Sequence, residues 1–178
     1  MSNRHVTLVI GGCRSGKSRH ALELAQGHPA RRRVYLATCV PRDAEMHERV
    51  RRHQVERGAG WITREEPLDL VGVLAGEARP DQVLLVDCLT LWVSNLLLES
   101  ENEEAVTQAS AALVTALGMA QGPVILVSNE VGLGIVPDNR LARLFRDCAG
   151  QVNQAVAACA GTVVWSVAGI PVVIKGAL

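Results

Sequence analysis

Gly11-Gly12-Cys13-Arg14-Ser15-Gly16-Lys17-Ser18 carries the clearest chemistry in this chain, because its residue types and spacing suit the phosphates of a nucleotide. It fits G-x-x-x-x-G-K-[ST] in the context that pattern requires. The β-rich run Val6-Thr7-Leu8-Val9-Ile10 precedes it and the helix-forming run Arg19 to Gln26 follows. Glycines let the backbone curl so that successive N–H groups face phosphate oxygens, and the helix adds its unpaired N–H groups and positive dipole end. Lys17 would reach the β- and γ-phosphates, and the Ser18 hydroxyl would ligate Mg²⁺. A glycine-rich turn can match by chance, but the strand before and the helix after argue for a P-loop.

A second group with chemistry is Asp87, at the end of the aliphatic run Val83-Leu84-Leu85-Val86. A carboxylate at such a strand tip is the expected partner of a P-loop, holding Mg²⁺ directly or through water. An aspartate can also simply open a turn; the unbroken apolar run and its spacing from the P-loop favour the metal. Between the two lies a strongly polar helix, Asp43 to about Arg57, in which only Met46, Val50 and Val55 could face a core. Arg49 and His53 share one face, with Glu45 a turn earlier. From the residues alone, His53 is a histidine on a solvated or cleft-lining helix.

These groups need elements to position them. At 178 residues the chain suits one domain, residues 1–178, with a sizeable core. Apolar residues make up 48% and aromatic ones 3%, so that core is aliphatic. Lys plus Arg and Asp plus Glu balance at 18 each, which removes the electrostatic case for a nucleic-acid partner and eases self-association. The five cysteines are odd in number and widely spaced, so neither a zinc site nor a disulfide framework is expected, and a cytoplasmic setting is. The polar start Ser2-Asn3-Arg4-His5 does not read as a signal peptide, and no apolar run is long enough for a membrane span.

The second strand is expected at Val34 to Cys39, after a solvated loop Arg31-Arg32-Arg33, with Ala37 to Cys39 at the sheet edge where open α/β folds bind ligands. Gly58-Ala59-Gly60 ends the polar helix before a short strand, Trp61 to Glu65. A helix over Leu68 to Ala75 follows, then the Asp87 strand. The helix Leu89 to Glu99 is apolar nearly all round, which places it in the core or at a subunit contact. An alanine-rich helix, about Glu103 to Gln121, leads to the strand Val124 to Ser128. The loop Asn129 to Pro137, with two glycines, an amide and a carboxylate, reads as ligand-facing. Asp138 or Asn139 caps a long helix, Arg140 to Ala160, whose apolar stripe faces the core and whose Arg140, Arg143 and Arg146 place one or two cations near a phosphate. Two short strands, 162–169 and 170–175, close the sheet. The fold class is α/β, a P-loop domain with a mostly parallel central sheet flanked by helices.

Over nearly its whole length the chain resembles the bifunctional adenosylcobinamide kinase/adenosylcobinamide-phosphate guanylyltransferase family of cobalamin biosynthesis. The resemblance rests on Gly11 to Arg19, Tyr35-Leu36-Ala37-Thr38, Glu45-Met46 through Arg49, Arg52-His53, Trp61 and Val86-Asp87-Cys88-Leu89-Thr90. It continues in Ser128 through Pro137, Arg140 through Arg143, Phe145-Arg146-Asp147 and Gly150 through Gln154. It implies a RecA-like P-loop fold, a homotrimer, a corrinoid substrate, and the use of GTP or ATP with Mg²⁺. It further implies GMP transfer through a guanylylated histidine eight residues before the tryptophan, which selects His53 over His47. By the same carry-over, Gly11 to Ser18 hold GTP phosphates and Ala37, Thr38 and Cys39 line the nucleotide site. Gln54, Val55, Glu56, Arg57 and Glu65 are further nucleotide contacts, and Ser18 with Asp87 serves the metal. Two other readings compete: a plain P-loop small-molecule kinase without a covalent intermediate, and a regulatory P-loop NTPase.

Overall fold

The computed structural model of the protein describes residues 2–178. Seven strands form one sheet: β1 (Asn3–Gly11), β2 (Arg32–Ala37), β3 (Trp61–Glu65), β4 (Gln82–Asp87), β5 (Val124–Asn129), β6 (Ala160–Val167) and β7 (Ile170–Lys175). Six helices connect them: α1 (Lys17–Gly27), α2 (Ala44–Arg57), α3 (Leu70–Glu77), α4 (Leu89–Ser100), α5 (Glu103–Met119) and α6 (Arg140–Cys159). The spatial order is β3-β2-β4-β5-β1-β6-β7, parallel throughout except for the final β6–β7 hairpin.

Unbroken aliphatic runs make the central strands, because a parallel sheet covered on both faces must be apolar on both. Val83–Val86 and Val124–Val127 are buried at every position. One face packs under α3 to α6, around Trp92, Leu97, Leu113, Leu117 and Val152; the other packs under α1, around Ala21, Ala25, Val127 and Val164. Side-chain caps start four helices: Asp43, Asp69, Asn102 and Asn139 each accept from a backbone N–H in the first turn. Asn139, of the two cap candidates, does this for α6.

Two local expectations change, and an alternative left open for the Leu89 helix closes. Arg32 and Arg33 belong to β2 rather than to a loop, pairing with Gln82 and Val83 of β4, while Arg33 donates to the Gln26 carbonyl at the end of α1. Extended backbone satisfies its own ladder while letting long cationic side chains reach solvent. The third helix begins at Leu70 and ends at Glu77, because Glu66 accepts from the N–H groups of Leu68 and Asp69 and holds those residues in a turn. Helix α4 spends its apolar surface inside the molecule, with Leu89, Trp92, Val93 and Leu97 buried and Leu98 exposed.

The C-terminal ends of five parallel strands align along one edge. Register pairs Ala37 with both Asp87 and Glu65, Asp87 with Val127, and Gly11 with Asn129. The end of β1 that opens the glycine-rich loop, Ala37 and Asp87 all lie on this edge.

Candidate active site

The loop after β1 is shaped by glycines where nothing larger fits. A Cβ on Gly11 would lie 2.4 Å from the Ser15 hydroxyl and 2.6 Å from the Ser166 carbonyl. Gly16 has φ +90°, and a Cβ there would lie 3.1 Å from the Cα of Gly169, in the β6–β7 turn. Gly12, by contrast, has open space on its Cβ side. The β6–β7 turn buttresses the loop through a 2.9 Å bond from the Gly169 N–H to the Ser15 carbonyl. Helix α1 starts at Lys17, directly after the left-handed Gly16, so its free N–H groups face the mouth of the loop.

Lys17 is buried and its Nζ donates to the Gly12 carbonyl at 3.0 Å, which lays the side chain back over the loop. Burial pulls its pKa below the ordinary 10.5, with the charges of Cys88 and Asp87 acting the other way. A cation partly stripped of water and lacking a full counter-ion is primed for the phosphates of a nucleotide.

Asp87 accepts from the Tyr35 hydroxyl at 3.1 Å. Burial, and then the Asp87 charge, push the Tyr35 pKa up, so the phenol stays a donor. On its ring face Tyr35 carries the Arg57 guanidinium, 3.6 Å from the centroid, and Trp61 meets the ring edge-on at 6.3 Å and 87°. Arg57 also donates to the Thr63 hydroxyl at 3.2 Å. His53 lies one turn before Arg57 on α2, two-thirds buried, with its Nδ1 3.7 Å from Glu56.

A cavity of about 980 Å³ brings these groups together. Cys13, Arg14, Ser15, Gly16, Lys17 and Ser18 form its floor, Asp87 and Tyr35 one side, and His53, Glu56 and Arg57 the overhanging helix. Among the further lining positions that carry no site role from the sequence, Arg49 and Arg52 add guanidinium groups from α2 beside Glu45 and Glu48, and Ala168 and Gly169 close the far side. The spacing of Arg49 from His53 was the available signal for the first; nothing local marks the other three. His47 is elsewhere, its Nδ1 2.8 Å from the Asp43 carbonyl, so of the two α2 histidines only His53 faces the P-loop.

The remaining sequence candidates lie around the cavity without lining it. Gly11 and Gly12 are under the loop, and Ala37 sits beside Asp87 in the register. Thr38 is fully buried and ties two strand ends together, its hydroxyl donating to the Cys88 carbonyl and accepting from the Cys88 N–H, both at 2.8 Å. Cys39 is half-buried just beyond it. Gln54 and Val55 point away from the body, Val55 being 69% exposed, and Glu65 is exposed at the end of β3. On the opposite flank, Arg143 donates to the Pro137 and Asp138 carbonyls and Arg146 to the Gly132 carbonyl. These arginines hold the 130–139 loop instead of facing the cavity. That loop is anchored at its root as well, since the Asn129 amide donates to Thr90 and its carbonyl accepts from Asn153.

Ser18 and Asp87 offer only oxygen donors, which suits a hard cation such as Mg²⁺ completed by water and phosphate oxygens. Among the described residues no group of three or more His, Cys, Asp or Glu side chains is placed to hold a metal alone. The thiols add no chemistry: all five are free, and burial pushes Cys88 up to about 11 and raises Cys148 and Cys159 as well. Iodoacetamide at mildly alkaline pH is therefore expected to label exposed Cys13 first, and GTP to protect it, with Cys88, Cys148 and Cys159 spared in the native protein. Peptide mass mapping checks this; rapid labelling of Cys88 would contradict the packing.

A sequence profile described as cobinamide kinase / cobinamide phosphate guanyltransferase matches residues 7–174. The chain belongs to this family. Among curated relatives it is similar to the bifunctional adenosylcobalamin biosynthesis protein CobP of Pseudomonas aeruginosa, at 45% identity over 95% of this chain and 96% of that one. The bifunctional adenosylcobalamin biosynthesis protein CobU of Salmonella typhimurium is 43% identical over 94% of this chain and 98% of its own. In fold alone, the cobinamide kinase / guanyltransferase chain is like a protein from Pyrococcus horikoshii OT3, with TM-score 0.59, 8% identity, and coverage of 100% of this chain and 89% of that one. It is also like an ATPase of a bacterial type III secretion system, with TM-score 0.53, 10% identity, and coverage of 90% and 50%. The fold is that of P-loop NTPases, as the motif and strand order require.

Proposed function

We propose that one cavity serves two reactions on a corrinoid substrate. In the first, the hydroxyl of adenosylcobinamide attacks the γ-phosphorus of ATP or GTP, the β–γ anhydride bond breaks, and the nucleoside diphosphate leaves. In the second, a neutral His53 ring nitrogen attacks the α-phosphorus of GTP, a P–N bond forms, and pyrophosphate leaves. A phosphate oxygen of adenosylcobinamide phosphate then displaces His53, giving adenosylcobinamide-GDP and restoring the imidazole. The observation that carries this reading is the placement of His53 over the same cavity as the P-loop.

The P-loop backbone, Lys17 and the start of α1 would bind the phosphates and neutralise charge as the bonds change. Bound Mg²⁺ would supply further charge neutralisation, held by Ser18 and Asp87. Arg49, Arg52 and Arg57 line the His53 side of the cavity together with Glu45, Glu48 and Glu56, so guanidinium groups are at hand for the α-phosphate on a wall of mixed charge. Sharing one P-loop means that triphosphate binds in two poses, one presenting the γ- and the other the α-phosphorus. Labelled GTP tests this: γ-label should appear on adenosylcobinamide, and α-label should appear first on protein in an acid-labile form. Free phosphate released without any corrinoid, and no label on protein, would instead favour an NTPase.

We also propose a cytoplasmic homotrimer. Among the described residues no helix is long and apolar enough to cross a membrane. Trp165, Val167, Ile170, Val172 and Ile174 of β6 and β7 are exposed apolar side chains at the sheet edge, an area that a partner subunit would cover. Light scattering should give three times the 19.1 kDa chain mass, and Ile170→Glu with Val172→Glu should lower it. A wild-type monomer would contradict the assembly.

A further inference from the structure

Helix α2 carries His53 yet is polar along almost its whole length, and Arg57 is its one buried residue. A helix anchored at a single side chain takes its position from whatever that side chain rests on. Arg57 rests on Tyr35, with its guanidinium carbon 3.6 Å from the ring centroid. The ring is only 7% exposed and is braced edge-on by Trp61. Its hydroxyl ends on Oδ2 of Asp87 at 3.1 Å. One aromatic side chain therefore touches both the anchor of the nucleophile's helix and the carboxylate at the metal position.

We propose that Tyr35 is a positioning residue for both reactions, a role that rests on those given above to His53 and Asp87. Its ring seats α2 through Arg57, and its hydroxyl fixes the stance of Asp87. Arg57 follows His53 by one helical turn and shares its face, so the height of the imidazole above the P-loop depends on the ring beneath Arg57. The hydroxyl occupies Oδ2, so Oδ1 is the oxygen with which Asp87 would hold a cation, the arrangement by which an outer-shell partner orients a ligand. The two contacts are separable: Phe keeps the ring and loses the hydroxyl, whereas Leu loses both.

The test uses Tyr35→Phe, Tyr35→Leu and, as an independent way to break the stack, Arg57→Gln. Three readouts are hydrogen exchange of the α2 segment without nucleotide, Mn²⁺ binding to the GTP complex by electron paramagnetic resonance, and the rate of adduct formation on His53. Tyr35→Phe should keep α2 exchange at the wild-type level and weaken Mn²⁺ binding about tenfold. Tyr35→Leu and Arg57→Gln should speed exchange across 44–57 while leaving β4 and β5 protected, and should slow His53 modification by about 100-fold at saturating GTP. Unchanged α2 exchange in both of the latter variants, or unchanged Mn²⁺ binding in Tyr35→Phe, would overturn the proposal. If wild type forms no adduct on His53, the functional reading fails, while exchange and Mn²⁺ binding still decide the role of Tyr35.

Discussion

His53→Ala is expected to lose guanylyl transfer to adenosylcobinamide phosphate by a factor on the order of 10⁴ or more, with phosphorylation of adenosylcobinamide persisting. The reason is the division of labour within the cavity. On the proposed reading, phosphorylation would use the P-loop floor, where α1, Lys17 and Asp87 line the cavity and would align a triphosphate with an incoming hydroxyl. Guanylyl transfer needs a nucleophile on the opposite wall, and of the α2 histidines only His53 reaches it. Separate assays of the two products from one preparation check this. Equal loss of both, in a protein that binds GTP normally, would mean that His53 does not act as the dedicated nucleophile.

Lys17→Met should lower both reactions, each by about 100- to 1000-fold, because it removes the cation aimed at the transferring phosphates. The same change should not lower the melting temperature of the nucleotide-free protein. Burial depresses the Lys17 pKa, which means that the folded state disfavours its charge, and an apolar side chain of similar length relieves that cost. The linkage has a sign. With its pKa lowered on folding, Lys17 makes the apo protein less stable below its ordinary pKa of 10.5 than a residue with no shift would. Calorimetry with and without GTP separates the effects: wild type gains stability from GTP, and the variant gains much less. A variant both inactive and markedly less stable without nucleotide would place Lys17 among structural residues.

How far this could be read from sequence differs by feature, for physical reasons. The P-loop was legible because its glycines are demanded locally, Gly16 by φ +90° and Gly11 by contact with Ser15 and Ser166. All seven strands were legible, the central ones as short apolar runs because a sheet covered on both faces leaves that imprint, whereas the edge strands β3 and β7 are largely exposed and showed through their punctuation. Their order was not legible, because no local signal says that β5 inserts between β1 and β4. Arg32 and Arg33 read as loop because charge mimics solvent exposure, yet a strand near a sheet end tolerates it. The α6 arginines read as phosphate ligands because their role as donors to loop carbonyls exists only once the 130–139 loop has folded back. Tyr35 is visible in the sequence only as part of the run Tyr35-Leu36-Ala37-Thr38, with no role of its own: one tyrosine in an apolar strand reads as core, and only the contacts from α2 and β4 give it a second meaning.

The claim at the centre of this account is a covalent nucleotide on a residue of α2. Intact-protein mass after incubation with GTP and Mg²⁺, followed by peptide mapping, tests it most directly. The predicted result is a gain of one GMP per chain, acid-labile, located on His53, and absent from His53→Ala. No gain in mass from a wild-type protein that demonstrably binds GTP, or an adduct mapped to another residue, would contradict it.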